Sequence, residues 1–257
     1  MTGQGQKRRR GGGRAGNALR RGAASIEQMP WHLPINNDSP TEPLNEEGII
    51  AIHEGAMRIL EEIGVEFLNE RALSIMKKAG CKINEQNVRM DRQFVMEMVE
   101  KAPSTFDITP RNVNRKITVG GSYILFGNVS SPPAYWDLEI SKKIPGTREM
   151  FANFCRLSQY FNCIHFLGGY PVEPVDLHPS TRHLDAVFDK LILSDKVAHA
   201  YSLGKERVED VMEMVRIAGN LSHDEFEASP RMFTNINSTS PLKHDEPMLD
   251  GWMRLAK

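Results

Sequence analysis

The chain has few cysteines and no long apolar segment. It contains three cysteines in 257 residues, and none stands in a C-x-x-C pair. So low a cysteine content excludes a disulfide framework and is typical of a reducing, cytoplasmic compartment. No window approaches the roughly 18 consecutive apolar residues of a membrane-spanning helix, so the sequence predicts no contact with a membrane.

Acidic residues are absent from the first 26 positions, which carry seven basic residues within "KRRRGGGRAGNALRR", residues 7–21. Residues 27–257 hold 25 basic and 33 acidic residues, a net charge of −8. A protein that binds nucleic acid through its phosphates usually has a basic face on the folded domain as well. We therefore predict no nucleic-acid partner and a solvated or subunit-contacting arm, with RNA binding through the arm as an alternative.

Residues 1–43 are predicted to form this basic, glycine-rich tail and a proline-rich extended segment. From residue 44 to residue 146 the pattern predicts helices and a small β-sheet. A first helix ends at Gly64, a C′ glycine, and shorter helices follow over 69–79 and 91–101. The runs "TFDIT", "RKITV" and "SYILF" predict short strands between residues 105 and 140. The first helix has an apolar face made of Ile49, Ile52, Ala56, Ile59, Leu60 and Ile63.

Strand and helix patterns alternate from residue 147 to residue 257. A helix capped by Thr147 precedes the strand-like runs "CIHFLGGY", "KVAHAYSLG" and "RMFTNINSTS". Equivalent positions in these runs, Ile164, Val197 and Met232, are 33 and 35 residues apart. This spacing is typical of successive βα units, in which parallel strands are joined by helices. The helix after the first strand has an apolar stripe made of Leu184, Val187, Phe188, Leu191 and Ile192.

The predicted fold class is α/β, with the N-terminal part of a TIM-type (β/α)8 barrel after the helical and small-sheet region. A complete barrel takes roughly 250 residues, whereas the repeat here begins near residue 163 and comprises about three units. We therefore expect an incomplete barrel and interpret the chain as a fragment of a longer protein. The alternative is a complete three-layer α/β domain with a three-stranded sheet.

Several short stretches occur along the chain in an informative order. They are "RRRGGGRAG", "AMRILEEIGVEF", the "PGT" that precedes the helix at Thr147, "GGYPVEP" after the first strand and "NINSTSPL" after the third. Together they resemble the trimethylamine methyltransferase (MttB-like) family. The resemblance implies a barrel that takes a methyl group from a tertiary or quaternary methylamine, such as trimethylamine or a betaine, and transfers it to the cobalt of a separate corrinoid protein.

The resemblance also implies which partners the protein has. They are a corrinoid protein and a small methylated amine, with the cobalt corrinoid carried by the partner and no cofactor bound directly. We expect a homo-oligomer. The alternative is a truncated barrel without catalytic activity that acts only through contacts with subunits or the corrinoid protein.

A methyl-transfer site of this kind needs no protein nucleophile, because reduced cobalt is itself a strong nucleophile. We therefore assign no catalytic residue. A methylammonium group is held by aromatic faces, and barrel sites lie at the carboxyl ends of the strands. Tyr170 and Tyr201 follow the first two strands, and Asn235 and Asn237 share one face of the third. We predict that these four residues bind substrate; ordinary packing of the tyrosines and mutual pairing of the asparagines are the alternatives.

A metal site is the main rival interpretation. Cys163 and His165 lie two apart on a strand and so share a face, as two zinc ligands would. A zinc site needs three or four ligands, and these two residues lie at the start of the strand. His183 and Asp185 point about 200° apart on a helix and form no triad. We predict that the chain binds no metal.

Overall fold

The computed structural model describes residues 26–256. The predicted basic arm, residues 7–21, lies outside the described residues, so its role stays a prediction. The chain divides into two units, Met1–Trp31 and His32–Lys257. Residues 26–31, the described end of the first unit, form no helix or strand. Every element named below belongs to the second unit.

The first helix, α1 (Glu46–Arg58), begins where the Asn45 side chain accepts a hydrogen bond from the Gly48 N–H at 2.9 Å. A π-helical turn, Ile59–Ile63, continues it to Gly64. Gly64 has φ 82°, and a Cβ there would lie 2.6 Å from the Asn87 Oδ1, so the predicted C′ glycine is confirmed. The apolar face predicted for this helix is largely exposed rather than packed in the core.

The helices predicted over 69–79 and 91–101 are confirmed as α2 (Glu70–Lys78) and α3 (Arg92–Glu100). In the sequence they flank short strands of a sheet that was not predicted. The sheet consists of β1 (Val65–Phe67), β2 (Lys82–Asn84), β3 (Asn87–Arg89) and β11 (Lys243–His244). The strand order is β11-β1-β3-β2. β11 pairs with β1 in parallel, and the other pairs are antiparallel. Strands of two or three residues are too short to show a periodic pattern.

Two antiparallel hairpins follow. β4 (Thr105–Ile108) pairs with β5 (Ile117–Gly120), as the first two β-like runs predicted. β6 (Ala134–Asp137) pairs with β7 (Lys142–Pro145), a hairpin that the sequence did not predict. In the sequence, these hairpins lie between α3 and the repeating units that begin at Thr147.

The βα repeat is confirmed. Its elements are α4 (Arg148–Tyr160), β8 (Phe166–Leu167), α5 (Arg182–Leu193), β9 (Val197–His199), α6 (Lys205–Ala218), the short α7 (His223–Glu227) and β10 (Met232–Phe233), followed by α8 (Glu246–Leu255). β8, β9 and β10 are parallel neighbours in chain order. The Thr147 hydroxyl accepts a hydrogen bond from the Met150 N–H at 3.2 Å, as expected of an N-cap.

The run "SYILF" was predicted as a short strand of the small-sheet region. Instead of joining the small sheets, the segment that it leads into lies parallel to β8: Gly127 bridges Phe166, and the His165 N–H donates to the Phe126 carbonyl at 2.7 Å. A Cβ on Gly127 would lie 2.3 Å from the Phe166 ring, so glycine is required here. The local sequence does not specify the pairing partner of so short a run, because many strands can form hydrogen bonds with its backbone equally well.

The described residues form a mixed α/β structure with small sheets and no closed barrel. The α/β class is therefore confirmed, and the barrel stays a hypothesis. Over residues 26–256 no helix combines the length and the apolar character that a membrane crossing needs.

The parallel sheet has two chemically distinct faces. Leu167, Ala200 and Met232 pack against the helices, with partners that include Phe151 and Val211. The register pairs Phe166 with Val197 and Phe233 with His199, so these four side chains share the opposite face. The apolar stripe predicted for α5 is buried only in part: Val187 is buried and Leu191 packs against the core, whereas Leu184, Phe188 and Ile192 are exposed. The helix also buries Ala186, Asp189 and Lys190.

Candidate functional site

Aromatic rings meet on the face of the parallel strands opposite the helices, and three of the four lie at or just after the carboxyl ends of β9 and β10. The His199 ring lies 4.8 Å from the Tyr201 ring and 5.0 Å from the Phe233 ring, measured between centroids. Phe233 in turn lies 5.1 Å from Phe166, with the two rings nearly perpendicular. Such edge-to-face packing is favourable between aromatic groups. We call Phe166, His199, Tyr201 and Phe233 the strand-end cluster.

The Tyr201 hydroxyl joins the strand ends to a neighbouring loop. It accepts a hydrogen bond from the Tyr170 N–H at 3.1 Å and bonds to the Ser130 hydroxyl at 3.0 Å and to the Ser131 hydroxyl. Gly169 makes room for it, because a Cβ there would lie 2.3 Å from the hydroxyl oxygen. The hydroxyl of Tyr201 is therefore occupied within the protein, and its ring is the part that a ligand would contact.

Tyr170 lies beside Tyr201 but on the core side of the site. Its ring is 4.8 Å from that of Tyr201 and 5.7 Å from that of Phe151, and the residue is only 7% exposed. Burial raises the pKa of its hydroxyl. The ammonium of Lys190 lies 5.4 Å from the Tyr170 ring centroid, so the ring already faces a cation of the protein itself.

Lys190 is a buried lysine that the sequence analysis did not identify. Its Nζ donates hydrogen bonds to the His199 carbonyl at 2.7 Å and to the Gly169 carbonyl at 3.4 Å. Burial lowers its pKa to about 8. None of the ion pairs within residues 26–256 includes this lysine. Its hydrogen bonds join the backbone after β8 to the end of β9, which fixes the geometry of the strand-end cluster.

His199 is 3% exposed, and neither of its ring nitrogens has a hydrogen-bond partner in the described part of the chain. Burial lowers its pKa to about 3, which keeps the imidazole neutral near pH 7. A neutral imidazole has one N–H donor and one acceptor nitrogen, and buried groups of this kind are normally paired. One feature of the sequence points to this residue: it is a histidine near the end of an otherwise apolar strand.

Asn235 and Asn237 are placed differently from the prediction. β10 ends at Phe233, so the two asparagines lie on the irregular segment that follows rather than on a strand face. Both are exposed. The strand-like sequence pattern continues beyond Phe233, but the backbone of the next residues does not pair with β9. Further on, Thr239 forms a local bridge with Lys243. The structure therefore brings Tyr170 and Tyr201 together and leaves the asparagines beyond the last parallel strand.

The two candidate metal ligands do not converge. Cys163 is exposed, whereas His165 is buried with partners on both nitrogens. Its Nδ1 accepts from the Phe126 N–H at 2.9 Å, and its Nε2 lies 3.0 Å from the His32 carbonyl. In residues 26–256 no three His, Cys, Asp or Glu side chains are grouped as metal ligands.

A larger groove lies elsewhere. It encloses about 1050 Å³ between α2, α3 and α8, and its mainly apolar lining includes Ile75, Phe94, Met98 and Trp252. None of its walls comes from the parallel sheet. Because ligands of parallel α/β folds bind at the carboxyl ends of the strands, we take the strand-end cluster as the candidate site.

Comparison with known proteins identifies related sequences. A family profile described as trimethylamine methyltransferase (MTTB) matches residues 9–257. Similar proteins include the glycine betaine methyltransferase of Desulfitobacterium hafniense strain Y51, 34% identical over 214 residues. The trimethylamine methyltransferase MttB of D. hafniense strain DSM 10664 / DCB-2 is 25% identical over 203 residues, and the proline betaine:corrinoid methyltransferase of Eubacterium limosum is 26% identical over 221.

These matches cover 83, 77 and 80% of this chain but 44, 40 and 43% of the respective relatives. The chain thus spans about half the length of the relatives that it matches. The family profile nevertheless extends over nearly the whole chain, so the resemblance seen in the sequence is confirmed. The chain belongs to the trimethylamine methyltransferase (MTTB) family.

Proposed function

We propose that this chain forms the N-terminal part of a methyltransferase that moves a methyl group from a tertiary or quaternary methylamine to the cobalt of a corrinoid protein. The family match over residues 9–257 is the observation that carries the proposal. Two similar proteins are named for betaines and one for trimethylamine, so both amine classes are candidate substrates.

A barrel scaffold is part of the proposal. The segment at Gly127, β8, β9 and β10 follow one another as parallel neighbours in chain order, with α4, α5 and α6 on one face. Successive right-handed βα units of this kind are the construction of a TIM barrel. We therefore take the segment at Gly127 as the first barrel strand, which would move the start of the barrel from residue 147 toward residue 126.

The strand-end cluster has the chemistry that a methylammonium group needs. Phe166, Tyr201 and Phe233 contribute aromatic rings, and the neutral imidazole of His199 adds no charge that would repel a cation. A reduced corrinoid supplies the nucleophile that accepts the methyl group, so the protein need only bind and orient the amine and exclude water. We expect the corrinoid protein to approach at the carboxyl ends of the strands.

The exposed asparagines extend the proposed site. Asn235 and Asn237 follow the strand that carries Phe233, and their amides are free to contact a substrate or the corrinoid protein. We also expect a homo-oligomer in a reducing cytoplasm, where the free thiols of Cys81, Cys155 and Cys163 are maintained.

The experiment uses the natural full-length product that contains residues 1–257. The purified protein is mixed with a Co(I) corrinoid protein and trimethylamine, glycine betaine or proline betaine. We expect methyl-cobalt, followed by absorbance, and the demethylated amine, followed by NMR, to form in equal amounts. If the folded protein binds the corrinoid protein but transfers no methyl group from any amine, the contact-only alternative is correct and the proposal is wrong.

A paired variant tests the asparagines. Replacing Asn235 and Asn237 together by alanine removes two exposed amides, so we expect the free energy of unfolding to change by less than about 0.5 kcal/mol. We expect methyl transfer to fall by at least about tenfold, the loss of roughly one hydrogen bond to a charged group. The control replaces Asn37, exposed on the irregular segment before α1, by alanine. Transfer that falls equally in both variants would exclude a specific role.

A further inference from the structure

His199 is a buried residue whose ring nitrogens make no hydrogen bond within residues 26–256. Its backbone belongs to β9, and its carbonyl accepts a hydrogen bond from Lys190, but its ring nitrogens have no partner. A buried donor or acceptor without a partner is unfavourable, so a fold that keeps one usually needs it for something else. Phenylalanine would fill the same space without this cost.

The position of the imidazole indicates what it could bind. It lies between the rings of Tyr201 and Phe233 at the carboxyl end of a parallel strand, on the face that points away from the helices. The aromatic faces suit N-methyl groups. The imidazole N–H suits an anionic oxygen, and because the ring is neutral it offers this donor without repelling the ammonium of the same ligand.

The small cavity beside His199 is too small for the proposed ligand. It has a volume of about 20 Å³ and is lined by His183, Tyr201 and Arg207 among others. A space of this size holds one water molecule and no organic ligand. A larger ligand must therefore reach the imidazole from the side of the strand-end cluster.

We propose that His199 is the specificity-determining residue of this site, and that its ring N–H donates a hydrogen bond to the carboxylate of a zwitterionic N-methylated substrate. The proposal rests on the proposed function for the transfer of the methyl group. His199 thus distinguishes amines that carry a carboxylate from amines that carry none. The contact orients the substrate while the neighbouring rings hold its ammonium end.

The test is the substrate preference of the natural full-length protein. The ratio of kcat/KM for glycine betaine to kcat/KM for trimethylamine is measured in the wild type and in His199→Phe. We expect the ratio to fall by about tenfold to about 100-fold, the range for losing a hydrogen bond to a charged group. His199→Gln keeps an N–H donor and should restore part of the ratio.

His165→Phe is the matched control. It replaces another buried histidine of the same sheet, but one whose nitrogens bond to the backbone. We expect this variant to be less stable and to keep the wild-type ratio. A ratio within about twofold of wild type in His199→Phe would overturn the proposal, as would a wild type that demethylates trimethylamine but not glycine betaine.

A binding measurement separates this proposal from the proposed function. In long-range ¹H–¹⁵N spectra of the full-length protein, the signals of His199 are assigned by their loss in His199→Phe. Glycine betaine should shift these signals, whereas choline, with a hydroxyl in place of the carboxylate, should not. If no amine donates a methyl group but betaine still gives this shift, the proposed function is wrong and the role of His199 stands; equal shifts with choline refute that role.

Discussion

The two ends of the parallel sheet treat buried polar side chains differently. At the amino end, both nitrogens of His165 are bonded to backbone groups, and the Lys196 ammonium donates to the Ser158 and Phe161 carbonyls at 2.6 and 2.7 Å. At the carboxyl end the His199 imidazole has no hydrogen-bond partner among residues 26–256. Buried polar side chains at the amino end thus bond within the protein, whereas the carboxyl end leaves one unbonded, the one for which we propose a ligand contact.

The buried lysines do not follow this division. Lys190 at the carboxyl end and Lys196 at the amino end both have a pKa that burial lowers to about 8, and both donate to backbone carbonyls. A lysine contributes a structural bond at either end. The difference between the two ends therefore lies in the histidines, and substitutions at both ends test it.

The largest expected effect comes from Lys190→Ala. The substitution removes a fully buried side chain and its hydrogen bond to the His199 carbonyl. We expect the free energy of unfolding, measured with urea, to fall by about 3 kcal/mol, since a cavity and an unpaired carbonyl are both created. Lys190→Met leaves a smaller cavity and should lose less. Equal losses in the two variants would show that the cavity left by the Lys190 side chain does not contribute to the loss of stability.

The histidine pair gives the next largest effect. His165→Phe leaves the Phe126 N–H and the His32 carbonyl without these partners, and we expect it to lower the free energy of unfolding by about 2 kcal/mol. His199→Phe removes no hydrogen bond within the described residues, so we expect unchanged or slightly increased stability. A loss in His199→Phe as large as that in His165→Phe would remove the contrast between the two ends.

Tyr201→Phe tests the loop contact at the carboxyl end. The variant keeps the ring but leaves the Tyr170 N–H without its acceptor and the hydroxyls of Ser130 and Ser131 without a shared partner. We expect a loss of about 1.5 kcal/mol and faster hydrogen exchange of the Tyr170 amide. Unchanged exchange would show that the hydroxyl does not hold the loop.

The smallest effect is a pH dependence due to His199. Its pKa is about 3 in the folded protein against an ordinary 6.5, so below pH 6.5 the unfolded chain takes up a proton that the folded chain does not. Folding stability therefore falls as the pH falls. Between pH 6.5 and about 5.5 we expect this group to cost about 1 kcal/mol, seen as the difference between urea unfolding of the wild type and of His199→Phe. Identical pH profiles would show that the imidazole titrates normally.

The helices, the order of elements and the parallel strands of the repeat were predictable, whereas the partners of the other strands were not. The caps at Thr147 and Gly64 and the spacing of the repeat act over neighbouring residues, so the sequence reveals them directly. The strand β11 pairs with β1 across more than 170 residues, and no local pattern encodes such a contact. The buried face of α5 was predicted only in part for the same reason, because a buried lysine and aspartate there depend on partners from other elements.

The candidate site shows the same division. Tyr201 was predicted from its place after a strand, and the structure adds that its hydroxyl is already bonded, so that only the ring is available. The asparagines were predicted on a strand face that ends before them, at Phe233. His199 was missed because burial without a partner is a property of the surrounding packing, not of the residue type.

The sequence by itself determined the family, the alternation of strands and helices and the strand ends at which a site should lie. These follow from local periodicity, capping residues and collinear motifs, which act within a few residues of the chain. Three features became visible only in the folded unit: the segment at Gly127 joins β8, Lys190 connects the strand ends, and the ring nitrogens of His199 make no hydrogen bond within residues 26–256. Each of these depends on which distant backbone groups and side chains pack together, and that is fixed only when the whole unit folds.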